Sequence, residues 1–410
     1  MYLSISFLVL TISFFLFKKA AGTMDITRLN MVSWIFYYYI VLQTFISALL
    51  VIHNWDDHYL INKIHDKQII RNAYYSIMYA LIALPLAMWI TTFLWGKKSA
   101  KTILNKYLTK SIEPILSPKD SYVRATIYLL SLISIMSVIY VFLVIGQIPL
   151  LEVIKGRSAV ALAIIRIEAS REFAGNQYIR NIFAIMLTPM LSYIMYGYWR
   201  MTKNRLDGFI FFILVFFSFL ITTYNLAKSG FVTYLLGFLF LNVLINGRVK
   251  RKVIMRFGVF TMILLVFVYM VLANEENVKL LFSYNQGIIG RIILTQSAGT
   301  YFSFDLFPTK MPHIGFNSLS NVISNIFSLS HEERSARLIM EQIVPEAMQL
   351  GTAGVMNSFF IAEAWSNFGI LGVIVSPFIV GFEIQTIYIL ILNLKKTPIL
   401  LSLLAYFSTN

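Results

Sequence analysis

The chain has 410 residues, of which 58% are hydrophobic, 15% aromatic and only 13% charged, and its mean hydropathy is +0.73. A soluble domain carries charge on roughly a quarter of its residues, so this composition excludes a soluble globular protein. The formal net charge is +15, but basic residues that bind nucleic acid gather on one water-facing surface, and here they alternate from one connection to the next. Without cysteine, the chain has no disulfide framework and no cysteine-ligated metal. We therefore predict an all-α, polytopic integral membrane protein that does not bind nucleic acid.

Apolar runs occur along the whole chain, and a membrane-spanning helix needs about 20 apolar residues. The candidate spans are 2–17, 31–52, 73–95, 125–146, 181–199, 208–225, 229–246, 257–273 and 370–392, with a partial one at 398–410. The first run has its lysines, Lys18 and Lys19, after the apolar stretch, which favours a retained span over a signal peptide. The sequence therefore predicts a single transmembrane domain over residues 1–410, with about 10 or more helices.

Lysine and arginine concentrate in every second connection. The basic connections are 18–30, 96–124, 200–207, 247–256 and 393–397. The segment 274–353, in contrast, has five basic and seven acidic residues. Because loops rich in Lys and Arg stay on the cytoplasmic side, we expect the two long segments 147–180 and 274–369 to face outward.

The outward segment 147–180 departs from this charge rule, since it has five basic residues against three acidic ones. A guanidinium group is always charged, and its planar donors match a pair of phosphate oxygens. Arg157 and Arg166 lie among Ala, Val and Ile residues that we expect at the membrane interface, so we interpret them as phosphate ligands. Arg171 and Arg180 fit that role and a solvated, ion-paired role about equally well.

The segment 274–369 carries the candidates for acid–base chemistry. His313 lies in KMPHIGFNS, and imidazole is the side chain that changes its charge near neutral pH. Glu363 lies in NSFFIAEAWSNFG at the membrane edge, where carboxylates tend to be functional or paired. Arg291 and, in the turn NLAKSG, Lys228 add cations that can neutralise a phosphate. The plainer alternatives are a solvated His313, a capping or ion-paired Glu363 and a snorkelling Lys228.

Common nucleotide and metal motifs are absent from the sequence. It has no GxxxxGK[ST], no HExxH, no GxSxG and no histidine cluster with metal-ligand spacing. We therefore predict no metal and no cofactor. Since an outward-facing site has no access to cytoplasmic ATP, the substrate that fits best is already activated, such as a sugar on a polyprenyl diphosphate.

Several of these features together resemble the oligosaccharide repeat-unit polymerases, the Wzy-type O-antigen polymerases. The resemblance rests on the number of spans, the Arg-containing outer stretch RIEASREFAGNQYIRN, the AKSG turn before a span, the large outer loop late in the chain and the closing stretch FIAEAWSNFGILG. It covers nearly the whole chain in organisation and is most specific in the closing stretch.

The resemblance implies a GT-C-like, lipid-dependent glycosyltransferase in the bacterial inner membrane, with its active face in the periplasm. A glycan on a polyprenyl diphosphate would be the donor, and a lipid-linked repeat unit would be the acceptor. Membrane lipid and a chain-length regulator protein would be its partners. His313 or Glu363 would take the proton of the acceptor hydroxyl. The residues assigned to the diphosphates are Arg157, Arg166, Arg171, Lys228 and Arg291.

Three alternatives stay open from the sequence. An O-antigen ligase has a similar architecture and differs in its acceptor. A lipid-linked oligosaccharide flippase or another transporter would place charged residues inside its spans or show repeats, and here Glu383 is an exception near the inner end of a span. A non-catalytic membrane scaffold would predict that no single outer arginine matters.

Overall fold

The computed structural model describes residues 1–97, 99–115, 119–157, 159–170, 172–226, 228–273, 282–285, 287–318, 325–326, 332–349 and 354–409. Within these ranges all regular secondary structure is helical, which confirms the predicted all-α class. Numbered in chain order, the helices are α1 (Tyr2–Ala21), α2 (Met31–Ile52), α3 (Lys67–Leu94), α4 (Ala100–Thr109), α5 (Asp120–Val144), α6 (Pro149–Ile154), α7 (Ala159–Ser170), α8 (Ile179–Thr202), α9 (Arg205–Thr223), α10 (Lys228–Asn246), α11 (Arg251–Ala273), α12 (Gly287–Ile293), α13 (Ala298–Leu306), α14 (Ser335–Ile343), α15 (Pro345–Gln349), α16 (Phe360–Asn393) and α17 (Pro398–Thr409).

Seven helices in the described part of the chain are long and apolar enough to cross a membrane, namely α1, α2, α3, α5, α8, α9 and α16. Shorter apolar helical stretches occur at Gly230–Asn246 and Pro398–Thr409. Helix α11 covers the predicted span 257–273. These helices are those of a multi-pass membrane protein, whereas the expected number of ten or more spans stays a prediction.

Local sequence explains where several helices begin and end. The Asp66 carboxylate accepts the Gln68 N–H at 2.7 Å and caps the start of α3. Asn204 caps α9 in the same way, by accepting the Leu206 N–H at 2.9 Å. Helix α1 ends at Gly22, whose φ of 80° is the left-handed conformation that glycine adopts without steric cost.

The chain folds as two compact units. The first comprises Met1–Gly22, Val32–Ala100 and Glu275–Ile387, and the second comprises Thr23–Met31, Lys101–Asn274 and Tyr388–Asn410. Each unit combines apolar spans with one of the two long segments that the sequence predicts to face outward.

In the first unit, α3 is the central helix. The Gln385 amide of α16 donates to the Ala20 carbonyl of α1 and to the Thr92 hydroxyl of α3, at 3.0 Å in both cases. At Gly381, α16 packs so closely on α3 that a Cβ atom would lie 2.8 Å from the Leu84 carbonyl oxygen. These contacts fix the membrane part of the first unit, on which α13 packs through α3 and α12 through α2.

In the second unit, a buried ion pair joins the ends of α5 and α9. The Arg124 Nη2 atom lies 3.1 Å from Asp207 Oδ1, and the Asp207 side chain has no exposed surface. The hydroxyls of Tyr128 and Thr202 also donate to this carboxylate. A carboxylate with several donors is well satisfied, so this pair joins α5 to the α8–α9 hairpin at the end of α5 that is opposite to α6.

Candidate functional site

In the second unit, α6 and α7 both contact the turn between α9 and α10. The Leu150 N–H of α6 donates to the Tyr224 carbonyl at 3.2 Å. The Arg166 Nε atom of α7 donates to the following carbonyl of the same turn, that of Asn225, at 2.9 Å. We call Lys155, Arg157, Arg166 and the carbonyls of residues 224 and 225 the cationic turn. Its helices rest on an apolar cluster, whose members include Val138, Val141, Ala169, Ile221 and Tyr224.

One carboxylate orients two of these cations. Glu152 lies 2.6 Å from Lys155 Nζ and 3.1 Å from Arg157 Nε, and its own side chain is only 4% exposed. Hydrogen bonds from these two cations lower the pKa of Glu152. The side chains of Lys155 and Arg157 stay 64% and 54% exposed. The carboxylate therefore positions both cations and leaves their outer faces open to an anion.

Arg180 has a different role from the other arginines of this segment. It is 8% exposed, and its Nη1 atom donates to the carbonyls of Ala169 and Ser170 at the end of α7. Its guanidinium also lies 5.2 Å from the centre of the Phe173 ring. A cation that satisfies the last carbonyls of a helix stabilises that helix end, so Arg180 is a structural cap of α7.

Two predicted ligands of the second unit cannot be described at the side-chain level. Arg171 lies outside the described residues. The backbone of Lys228 begins α10, three residues after Asn225, and its side chain lies outside the described part. The structure thus brings Arg166 to this turn, joins α6, the helix before Arg157, to the same turn, and starts the helix of Lys228 three residues after Asn225.

In the first unit, the long helix α16 is broken at Gly369, which has φ 57° and ψ −139°. Such a break frees carbonyls of the preceding turn for other donors. The Ser366 carbonyl accepts the Ile314 N–H at 3.1 Å and faces the His313 Nδ1 atom at 3.2 Å. We call His313, Ser366 and Gly369 the broken-helix site. It joins two segments that lie 53 residues apart in the sequence.

The geometry of this site selects one tautomer of neutral His313. A carbonyl oxygen can only accept, so Nδ1 carries the proton and Nε2 presents a lone pair. Nε2 lies next to Gly369, where a Cβ atom would be only 3.0 Å away, and His313 itself is exposed. The imidazole also packs edge-on against Trp365 at 5.8 Å, and Trp365 is itself stacked on Phe304 at 4.4 Å. The ring is therefore oriented as a proton acceptor, as in many general bases.

The other two predicted residues of the first unit are exposed. Glu363 lies in the first turn of α16, three residues before Ser366, and protein does not cover its side chain. Arg291 lies in the last turn of α12 and is also exposed. Residues three apart lie on one side of a helix, so Glu363 is one turn from the carbonyl that holds His313.

Sequence reasoning missed His58, in the loop between α2 and α3. His58 is 1% exposed, and its Nε2 atom lies 3.1 Å from the Thr295 hydroxyl, directly after α12. Burial lowers the pKa of His58 to about 4, so the ring is neutral at pH 7. Burial also raises the pKa of Asp56, two residues earlier. The available signal was the polar stretch HNWDDHYL between two spans, which the charge count alone treats as an ordinary connection.

Fold and site together define a multi-pass membrane protein, helical in its described part, with two polar sites, one of which lies at the break in the span α16. One site presents cations and the other presents an oriented imidazole. No family model, curated protein or solved structure matches this chain.

Proposed function

We propose that the protein is a lipid-dependent glycosyltransferase that polymerises polyprenyl-diphosphate-linked repeat units, as Wzy-type polymerases do. The reaction would take place at the periplasmic face of the bacterial inner membrane. The observation that carries the proposal is the orientation of His313, whose Nδ1 atom is fixed on the Ser366 carbonyl at 3.2 Å while Nε2 presents its lone pair. A fixed proton acceptor beside the end of a membrane helix suits the activation of a hydroxyl on a lipid-linked glycan.

The chemistry needs one base and a stabilised leaving group. In the proposed step, the acceptor hydroxyl oxygen attacks the anomeric carbon of the donor, and the bond from that carbon to the diphosphate oxygen breaks. His313 Nε2 takes the hydroxyl proton, and the polyprenyl diphosphate leaves with the electron pair of the broken bond. Glu363, one turn along α16, is the second candidate for the proton acceptor.

Cations would stabilise the charge that develops on the diphosphate. In the first unit, which holds His313, the exposed side chain of Arg291 provides such a cation. In the second unit, the exposed guanidinium groups of Arg157 and Arg166 are available to bind a diphosphate. The buried carboxylate of Glu152 holds Arg157 at 3.1 Å, which lowers the entropy cost of forming a planar contact with phosphate oxygens.

The test uses a strain that lacks the gene and is complemented with wild-type or variant protein. We expect the strain without the gene to carry lipopolysaccharide core capped with a single repeat unit on a gel. His313→Gln should reproduce that pattern at normal protein level, because loss of a general base slows a reaction by about 100- to 10,000-fold. His65→Gln, in an exposed loop position, is the matched control and should restore long chains.

Other outcomes would contradict the proposal. Uncapped core with accumulated lipid-linked polymer would identify a ligase. Unpolymerised repeat units trapped on the cytoplasmic face would identify a flippase. Normal chains in His313→Gln and short chains in Glu363→Gln would keep the polymerase and move the role of base to Glu363.

A further inference from the structure

The loop 53–66 forms hydrogen bonds with the residues on both sides of α12, the helix that contains Arg291. On the side before the helix, the Tyr284 hydroxyl donates to the Trp55 carbonyl at 2.8 Å. The Asn285 side-chain oxygen accepts the Asp57 N–H, also at 2.8 Å. On the side after the helix, His58 Nε2 meets the Thr295 hydroxyl at 3.1 Å.

The backbone of α12 is also tightly packed next to Arg291. A Cβ atom on Gly290 would lie 2.8 Å from the Asn285 carbonyl oxygen, so the helix lies directly on residues 284 and 285. The Gly290 N–H donates to the Ser283 carbonyl at 3.1 Å. The carbonyl of Gly290 in turn accepts from Leu294 and Thr295, at 2.8 and 3.0 Å. Direct contacts therefore run from loop 53–66 through residues 283–285 to the turn that carries Arg291.

Among the side chains that form these hydrogen bonds, that of His58 is the most deeply buried. It is 1% exposed, while its neighbours Asp57 and Tyr59 are exposed. A neutral imidazole in a buried position gains no solvation by leaving Thr295, so the contact persists better than an exposed hydrogen bond would. The sequence separation of 237 residues between the two partners makes this contact a true tertiary link.

We propose that His58 is a positioning residue that fixes α12 so that the Arg291 guanidinium can bind a diphosphate. This inference rests on the proposed function, because that function supplies the diphosphate. His58 acts through Arg291 and does not touch the substrate. The loop 53–66, which connects the spans α2 and α3, would thus support the diphosphate-binding residue Arg291 without contacting the diphosphate.

A double-mutant cycle on the full-length protein in lipid nanodiscs tests this inference, with farnesyl diphosphate as the probe. We expect Arg291→Ala to weaken binding by about 10- to 100-fold, since hydrogen bonds with charged groups are the strong ones. His58→Ala should weaken binding by about fivefold to tenfold. In the Arg291→Ala background, His58→Ala should have no further effect, because the two changes act on one interaction.

Two further variants serve as controls. His65→Ala changes an exposed histidine of the same loop and should leave binding unchanged. His58→Gln places an amide nitrogen near the position of Nε2 and should bind within about twofold of wild type. If His58→Ala does not fold, Thr295→Val removes the same hydrogen bond from the other side and takes its place in the cycle.

The possible failures are distinguishable. If the effects of His58→Ala and Arg291→Ala multiply, or if His58→Ala binds like wild type while Arg291→Ala does not, the positioning role is wrong and the proposed function stands. If wild type does not bind farnesyl diphosphate, or if Arg291→Ala binds normally, the assignment of Arg291 in the proposed function fails and the inference fails with it.

Discussion

The cationic turn and the broken-helix site hold their key side chains by opposite means. In the cationic turn, one buried carboxylate, Glu152, holds two cations whose side chains are more than half exposed. In the broken-helix site, a neutral backbone carbonyl and the bare Cα of Gly369 hold an imidazole. The first arrangement depends on charge, and the second depends on shape.

The difference teaches how each site should respond to change. The exposed side chains of Lys155 and Arg157 can rearrange around the buried Glu152 carboxylate, so the cationic turn can adapt to an anion. A histidine whose tautomer and direction come from the backbone tolerates no displacement, because reaction rates fall steeply with misplacement of the base. We therefore expect the largest effects at the broken-helix site.

The strongest test of this difference is Gly369→Ala. Alanine at φ 57° and ψ −139° would occupy a sparsely populated backbone conformation, which costs about 1–3 kcal/mol. Its Cβ atom would lie 3.0 Å from His313 Nε2. We expect chain polymerisation to fall by about 100-fold, measured as long-chain glycan in the complemented strain. Gly96→Ala is the matched control, since Gly96 has φ 66° and no atom within 4 Å of the added Cβ. Equal losses in both variants would show that backbone strain alone is responsible.

Variants of Arg180 and Arg166 distinguish a structural role from a binding role within the outward segment 147–180. Arg180→Ala removes a buried cap of α7 and should lower the free energy of unfolding by about 2–3 kcal/mol, measured by denaturant unfolding in detergent. Arg166→Ala should leave that free energy nearly unchanged and weaken farnesyl diphosphate binding by about tenfold. Unchanged farnesyl diphosphate binding in Arg166→Ala would contradict the binding role of Arg166. Unchanged free energy of unfolding in Arg180→Ala would contradict the structural role of Arg180.

Acid should affect the first unit before the second. The pKa of His58 is about 4 in the folded protein and about 6.5 in an unfolded chain. Between these values the unfolded state binds the extra proton, so the stability that neutral His58 provides above pH 6.5 is lost as the pH falls toward about 4. The pKa of Glu152 is lowered from 4.5, so its contribution persists until the pH falls below that value. The raised pKa of Asp56 opposes the loss only near its own titration range.

Hydrogen exchange as a function of pH checks this order. Peptides from residues 53–66 should lose protection between pH 6.5 and 4.5, whereas peptides from residues 149–157 should not. His58→Gln, which cannot be protonated, should abolish the pH dependence in the first peptide. Simultaneous loss of protection in both regions would contradict the assignment to His58.

The smallest effect should come from Glu152→Gln. The change frees Lys155 and Arg157 from their shared carboxylate and adds one unit of net positive charge. These two consequences oppose each other, because freed side chains pay more entropy on binding while the added charge attracts the diphosphate. We expect an affinity for farnesyl diphosphate within about threefold of wild type and a steeper dependence on salt. Glu168→Gln, an exposed neighbour, is the control.

The sequence alone was enough to predict the class of protein and many of its helices. Long apolar runs must be helical in a membrane because no water is present to satisfy their backbone groups, so composition determines this part of the fold. His313 and Glu363 were also chosen from their residue types and their positions in the sequence. In the structure, His313 contacts the Ser366 carbonyl of α16, and Glu363 lies one turn before Ser366. Their catalytic roles stay predictions.

Only the tertiary structure could decide which groups hold the candidates in place. The carbonyl that orients His313 becomes available because α16 breaks at Gly369. A glycine within an apolar run does not by itself predict such a break. The partner of His58 lies 237 residues along the chain, and Arg180 caps a helix whose end the sequence leaves open. Periodicity and charge report each segment's own preference for lipid or water, whereas these contacts arise from the packing of one segment on another.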